Sequence, residues 1–414
     1  MFARRAGWDL EQSDLAARVA RRRAAGLPLL DLTESNPTRC ALPAPGERLA
    51  AVLAEVARDP RCGVYEPDPR GDIRAREAIA AHHAAQGGAV TAASIVLTAG
   101  TSEAYAHLFR LLADPGDCVL VPSPSYPLFG LLAELESVEP KPYPLRLRDG
   151  RWHIDLDALR AAAPGARALL LVHPNNPTGS LASRDEVTEL RRICRTHDLA
   201  LVCDEVFADY RSPSARAGAP CTLLPQRDEA ESGPLVFVLS GASKLLGLPQ
   251  LKVGWIVVGG PARLREEALA RLDVIADTYL SVSGPAQLAL PALLASRAEL
   301  AGPIAARIEQ NRALVERAVA HAAGVELLIA EGGWYAILGL SADSTGRAID
   351  EDSLAASLLD GPGVIVQTGW LFDLEPQDES GLPASHLVLS LLPEPHILEE
   401  GLGHVLAMIE AAAG

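Results

Sequence analysis

Lysine is nearly absent from this chain of 414 residues: only Lys141, Lys244 and Lys252 occur, although Lys and Arg together number 37. Two of the three stand in LSGASKLLGLPQLKVGW (239–255), behind an apolar run and a Ser-Gly-Ala-Ser turn. Arginine can serve in almost any ion pair, but only a primary amine condenses with a carbonyl to a Schiff base. A lysine kept at position 244 therefore points to covalent amine chemistry, and Lys252 offers a compact point charge. Asp204 ends LALVCDE, a run apolar enough to be buried, so its carboxylate needs a cationic or hydrogen-bonding partner; a helix cap or an ion pair is the plainer alternative. Asn176 lies in HPNNPTG, where two prolines stiffen the loop and the amide is free to donate, as it also is in a bare turn. In TAGTSEA the residues Gly100, Thr101 and Ser102 stand where a strand turns into a helix. Open amides and hydroxyls there can seat a phosphate, although the same turn also serves as an ordinary cap.

The elements that must position these groups are readable as alternating runs. SIVLTAG, DCVLVPS, ARALLLVHP, LALVCDEV, PLVFVLS and LKVGWIVVGG read as buried strands. The segments TSEAYAHLFRLLAD and SRDEVTELRRICRTHD, and one from about 126, carry helical periodicity. Continuous Val/Leu strands separated by helices predict an α/β fold with a mostly parallel sheet covered on both faces. In such sheets ligands bind beyond the carboxyl ends of the strands, which is where the unusual residues collect.

After residue 300 the texture changes to one long helix, short strands (VELLIA, WYAILGL, VIVQTGW, HLVLSLL) and a terminal helix. We expect a large α/β domain over 60–300 and a smaller α+β domain over 301–414, joined by residues 1–59. The segment 211–234 and the Pro/Gly-rich stretches 340–350 and 374–384 read as surface connections.

A net charge of −16 argues against a nucleic-acid or anionic-membrane partner, and the RRR triplet at 21–23 falls on the solvated face of a capped amphipathic helix. No apolar run approaches the ~18 residues of a bilayer span, and the N-terminus lacks the apolar core of a signal peptide; we expect a soluble, cytoplasmic protein. Six scattered cysteines without a CxxC suggest neither a zinc site nor a disulfide framework.

Taken together, YEPDPRG (65–71), TAGTSEA (98–104), PGDCVLVPSPSYP (115–127), HPNNPTG (173–179), CDEVF (203–207), SGASK (240–244) and LPQLKVGW (248–255) occur in the order and spacing of the class I/II aminotransferases. The chain resembles these pyridoxal 5'-phosphate (PLP) enzymes of the aspartate aminotransferase fold from about residue 30 to the C-terminus. The resemblance implies that Lys244 carries PLP as an internal aldimine and shuttles the proton. It also implies that Asp204 pairs with the pyridine nitrogen, that Asn176 bonds the ring hydroxyl and that Tyr126 stacks on the ring. The phosphate would rest on Gly100, Thr101 and Ser102, with Ser240 or Ser243 and Lys252 adding contacts. Tyr65 would reach the phosphate from a second subunit, implying a homodimer with shared sites. The implied reaction is a ping-pong transfer of an amino group between an amino acid, or an amine, and a 2-oxo acid.

Three positions depart from the family pattern. Lys252 stands where an arginine is usual, and Phe207 where a tyrosine bonds the ring oxygen. Val388, two before Ser390, stands where an Arg-x-Ser arginine clamps the substrate carboxylate. Arg39, in LTESNPTRC with Asn36, is our candidate replacement, and His386 a second. These departures leave room for a PLP-dependent lyase, decarboxylase or oxidase on the same fold, or for a non-catalytic ligand-binding relative.

Overall fold

The computed structural model describes every residue except Asp9, Gln12, Ala44, 227–229, Asp343, 375–382, Ala384 and Gly414. Its main sheet has eight strands, in the spatial order 95–98, 254–259, 236–241, 200–204, 166–172, 118–123, 139–148 and 151–154. All six expected strands are present in it. The central run from 118–123 to 236–241 is parallel, while Gly254–Gly259 runs antiparallel to both of its neighbours. Ala200–Asp204, Val236–Gly241 and Gly254–Gly259 are buried at every position, as an apolar strand covered on both faces must be.

Two strands of this sheet went unread in the sequence, Glu139–Arg148 and Arg151–Ile154. Pro140, Pro142 and Pro144 argue against a strand because proline has no N–H for a ladder. The structure accommodates them: this half of the strand pairs only with Cys118–Ser123, and the pairing to Arg151–Ile154 begins at Leu145. The hairpin turns at Asp149 and Gly150, both at positive φ (51° and 72°), the two-residue turn that suits the twist of antiparallel strands.

A second sheet has the order 325–328, 335–340, 385–390, 367–368, and its strands are antiparallel throughout. The expected strand at VIVQTGW divides, because Val364–Ile365 pairs instead with Leu30–Asp31 near the N-terminus. The helix Arg297–Val319 spans residue 300, the expected domain boundary. Arg184–His197 opens on a capping box of Ser183 and Glu186, and Asp14–Ala24 is capped by Ser13 as its pattern predicts. Residues 211–226 are largely irregular, with Ser212, Thr222, Leu223 and Leu224 buried. Most of 374–384 lies outside the described residues. Among the described residues no single helix is long and apolar enough to cross a membrane, no His/Cys/Asp/Glu group could hold a metal, and the six cysteines are unpaired.

A buried carboxylate stands at the joint between the two sheets. Glu331, 1% exposed, sits in the turn before Tyr335–Leu340 and accepts from Arg151 Nη1 (2.8 Å), Arg216 Nη2 (2.7 Å), the Arg216 backbone N–H (2.8 Å) and the Leu181 N–H (3.3 Å). The same turn bonds back through Glu331 N–H to Gly179 O and Gly333 N–H to Tyr210 O. Burial pushes the Glu331 carboxyl up, but the Arg216 hydrogen bonds outweigh it and hold the group below its usual range. Glu331→Ala leaves the Arg216 guanidinium with only Glu186 (3.3 Å) and Trp152 O (2.7 Å) as partners and is expected to cost about 3 kcal/mol, read as a lowered urea midpoint.

Candidate active site

At the C-terminal ends of strands 166–172, 200–204 and 236–241 lies a cavity of about 160 Å³. It is lined by Gly100, Thr101, Ser102, Tyr126, Asn176, Asp204, Phe207, Ser243 and Lys244, all anticipated from the sequence, and by Ser35, Tyr105 and Tyr335, which were not. A separate, more open groove of about 750 Å³ holds Tyr65.

Lys244 rides on the four-residue helix Ala242–Leu245, which follows directly from Val236–Gly241. Its carbonyl oxygen accepts from the Tyr210 hydroxyl at 2.7 Å, fixing the backbone under the amine. The Nζ lies over the rings of Trp334 (4.6 Å to the centroid) and Phe207 (5.6 Å). Burial lowers the amine's pKa to about 8, with the Asp204 charge pulling the other way. A substantial neutral fraction is thus present at mildly alkaline pH, and a neutral amine is the nucleophilic form.

Asp204 is the last residue of its strand and is 7% exposed. Burial pushes its carboxyl up to about 6; the Val206 N–H on Oδ1 (3.1 Å), the Tyr105 hydroxyl on Oδ2 (3.1 Å) and the Lys244 charge offset part of that. The adjacent Glu205 binds elsewhere, to Thr222 Oγ1 (3.1 Å) and the Leu223 N–H (2.6 Å). Alternation along a strand sends neighbouring side chains to opposite faces, so one of the two acids meets the cavity.

The helix Thr101–Leu112 begins at the cavity with Gly100 as its N-cap, which offers no side-chain bond to the first turn. Its leading amides stay open, with the partial positive charge of a helix start. Gly100 has φ 147°, and a Cβ on Gly254 would lie 2.9 Å from Gly100 Cα, so both positions need glycine for the loop to rest on strand 254–259. Ser243 lines the cavity, whereas Ser240 is 4% exposed and pairs with Trp255 inside the sheet. Lys252 is exposed and stands at φ 55°, one residue from the lining Val253.

In 173–179 the two asparagines part company. Asn175 Nδ2 bonds Pro124 O (3.0 Å) and Thr178 Oγ1 (2.9 Å), bracing the loop. Asn176 is 7% exposed, and its Oδ1 is buried without a hydrogen-bond partner among the described residues. Tyr126, 42% exposed, stands at the mouth.

The expected substrate contacts are not drawn in. Arg39 is exposed and lies 3.7 Å from Glu34, Asn36 caps its own turn by accepting from the Thr38 N–H (3.0 Å), and Ser35 between them takes the place on the wall. His386 is fully buried opposite Gly339, and burial lowers its ring to about 4, leaving it neutral and away from the cavity. Val388 is also fully buried, between Ile337 and Gln367. On the same strand as Ile337, Tyr335 faces the cavity, with Ser35 and Asn176 within hydrogen-bonding reach of its hydroxyl. Phe207 packs edge-on against Trp334 (5.4 Å) and Tyr335 (6.5 Å).

The profile of "Aminotransferase class I and II" matches residues 33–380. The glutamate-pyruvate aminotransferase AlaA of Escherichia coli is 30% identical over 271 residues, 65% of this chain and 64% of that protein; the match thus spans under two thirds of this relative's length. The alanine aminotransferase of Mycobacterium tuberculosis is 26% identical over 381 residues, 91% of this chain and 84% of the relative. The solved alanine aminotransferase from Pyrococcus furiosus superposes with a TM-score of 0.85 at 21% identity, covering 99% of this chain and all of that one, a likeness of fold.

Proposed function

Since the chain belongs to the class I and II aminotransferase family, we propose that it uses pyridoxal 5'-phosphate to move an amino group between an amino acid and a 2-oxo acid in two half-reactions. The observation that carries this is the convergence of a part-buried amine, a buried carboxylate and an uncapped helix start on one cavity.

The residues fit that cofactor. Lys244 would hold its aldehyde carbon through Nζ, and Asp204, a buried acid with a free face toward the cavity, would hold its ring nitrogen protonated. The Asn176 side-chain amide, whose Oδ1 has no partner among the described residues, would meet the ring hydroxyl, and the amides and hydroxyls of Gly100, Thr101, Ser102 and Ser243 would take the phosphate, with Lys252 adding charge. When bound, the cofactor supplies an electron-accepting ring that acidifies the substrate's α-carbon. Lys244 Nζ, the basic nitrogen on the cavity wall, would take a proton from the substrate's α-carbon. Burial of the lysine favours the neutral amine that this step requires. Tyr126 would cover the ring face and limit water at the mouth.

Among the described residues lining the cavity, Lys244 is the one cation, so a substrate carboxylate needs a donor from nearby. Arg39 is our candidate: it follows Ser35 by four residues, and its exposed ion pair with Glu34 is weak enough to give up. Arg39→Ala is expected to raise the apparent KM for the amino donor by roughly tenfold with little change in kcat, the loss of one charge-assisted bond. An unchanged KM in steady-state assays removes Arg39 from the site.

We also propose a homodimer, in which a second copy covers the groove around Tyr65, Val64 and Ile73, all exposed here, and brings Tyr65 toward the neighbouring phosphate seat. The division into 60–300 and 301–414 with 1–59, and a cytoplasmic location suited to six unpaired thiols, belong to the same reading. Glutamate with pyruvate is the first substrate pair to test, after the names of the relatives. The decisive assay incubates the PLP-loaded protein with an amino donor. Pyridoxamine phosphate plus 2-oxo acid supports transfer, whereas ammonia or CO₂ turns the assignment to a lyase or a decarboxylase.

A further inference from the structure

The helix that opens on the cavity at Thr101 delivers a second group one turn later. Tyr105 is 3% exposed, its ring set edge-on to Phe129 (5.1 Å between centroids, 70°) and tilted on Phe109 (6.0 Å). Its hydroxyl donates to Asp204 Oδ2 at 3.1 Å. The other carboxylate oxygen, Oδ1, takes the Val206 N–H at 3.1 Å. Each oxygen of Asp204 therefore has one protein donor, and the two together leave the carboxylate a single orientation about its terminal bond.

We infer that Tyr105 is a positioning residue for Asp204: its hydroxyl keeps the carboxylate ionised in a buried site and sets the face it turns to the cavity. The inference rests on the proposed cofactor reading for its consequence but not for its geometry. A carboxylate at the end of an apolar strand is pushed toward its neutral form by burial, and a donor to the charged form opposes that push. A neutral Asp204 could no longer stabilise a protonated ring nitrogen, so the phenol's effect reaches the cofactor through the acid. Phe129 and Phe109 offer the contrasting account, in which Tyr105 is a filler of apolar space. The two accounts differ at one atom, the phenolic oxygen.

Tyr105→Phe keeps the ring and removes that oxygen. The direct test is an infrared titration of the cofactor-free protein, with Asp204→Asn as the reference that identifies the Asp204 band. The midpoint of Asp204 should move up by about one pH unit in Tyr105→Phe. PLP affinity, measured by equilibrium dialysis from pH 5.5 to 9, should fall by up to about tenfold below pH 6 and converge with the parent above pH 8, where both carboxylates are ionised. In an Asp204→Asn background the same substitution should leave PLP affinity unchanged at every pH. If Tyr105→Phe fails to fold, Tyr105→Leu removes the hydroxyl with a smaller apolar replacement. An unmoved midpoint, or a loss of affinity that is the same at every pH, makes Tyr105 a filler and overturns the inference. A parent protein that traps no PLP on Lys244 under borohydride would instead remove the cofactor reading, while the infrared result still decides the Tyr105–Asp204 bond.

Discussion

Lys244→Ala is expected to abolish amino-group transfer, with a loss of four orders of magnitude or more, on the scale seen when a covalent nucleophile is removed. The size follows from two duties meeting in one atom. Nζ is the primary amine on the cavity wall, and it is also the base best placed to take a proton from a substrate bound there. No neighbour can substitute: the rings at 4.6 and 5.6 Å carry no basic nitrogen, and Lys252 is exposed outside the lining. Borohydride treatment of the PLP-loaded parent should fix the cofactor to the peptide containing residue 244, and Lys244→Ala should fix none. The rate of cofactor capture should climb as pH rises through about 8, because below that value the amine is mostly protonated and cannot attack. Capture that is indifferent to pH between 6 and 9, or that survives in Lys244→Ala, would falsify the assignment.

The second large effect belongs to Asp204. Asp204→Asn preserves the shape and one acceptor but removes the charge, and the loss of a buried ionic partner costs about 3–5 kcal/mol, or roughly a hundred- to several-thousand-fold in kcat. Stability should move the other way. An acid lifted to about 6 by burial is carried as an unfavourable charge above that pH, so the cofactor-free Asp204→Asn protein should unfold at an equal or higher urea concentration at pH 8. A variant that lost both activity and stability would mark Asp204 as a structural group. Activity within tenfold of the parent would show that the ring nitrogen does not depend on it.

Lys244, Asp204, Asn176 and the Gly100–Ser102 turn were legible in the sequence because each stands at or just beyond the end of an apolar strand, and the sheet's topology sends these ends to one side. The strands they end were legible for the same reason. Tyr105 was not, since in TSEAYAHLF it reads as one more residue of a helix face; its partner is 99 positions away. Ser35 and Tyr335 come from opposite ends of the chain and meet on the cavity wall, and Leu30–Asp31 likewise pairs with Val364–Ile365. Arg39 stood out for its charge, but the short turn Pro37–Arg39, started by the Asn36 side chain, directs it outward in this state. The proline-bearing strand shows a limit of a different kind: residue preferences describe an average neighbour, and Pro140, Pro142 and Pro144 have a partner on one side only.

The ion cluster around Glu331 bears on how such proteins can be recombined. A chimera that exchanges everything after residue 300 with a relative would separate this carboxylate from Arg151 and Arg216, which belong to the retained half. The graft would then bring together an acid and a guanidinium that were never matched, at the joint on which Trp334 and Tyr335 depend for their position. A crossover that transplants 211–216 and Arg151 along with the C-terminal portion keeps the set intact, so breakpoints in this protein should follow its charges rather than its sheets.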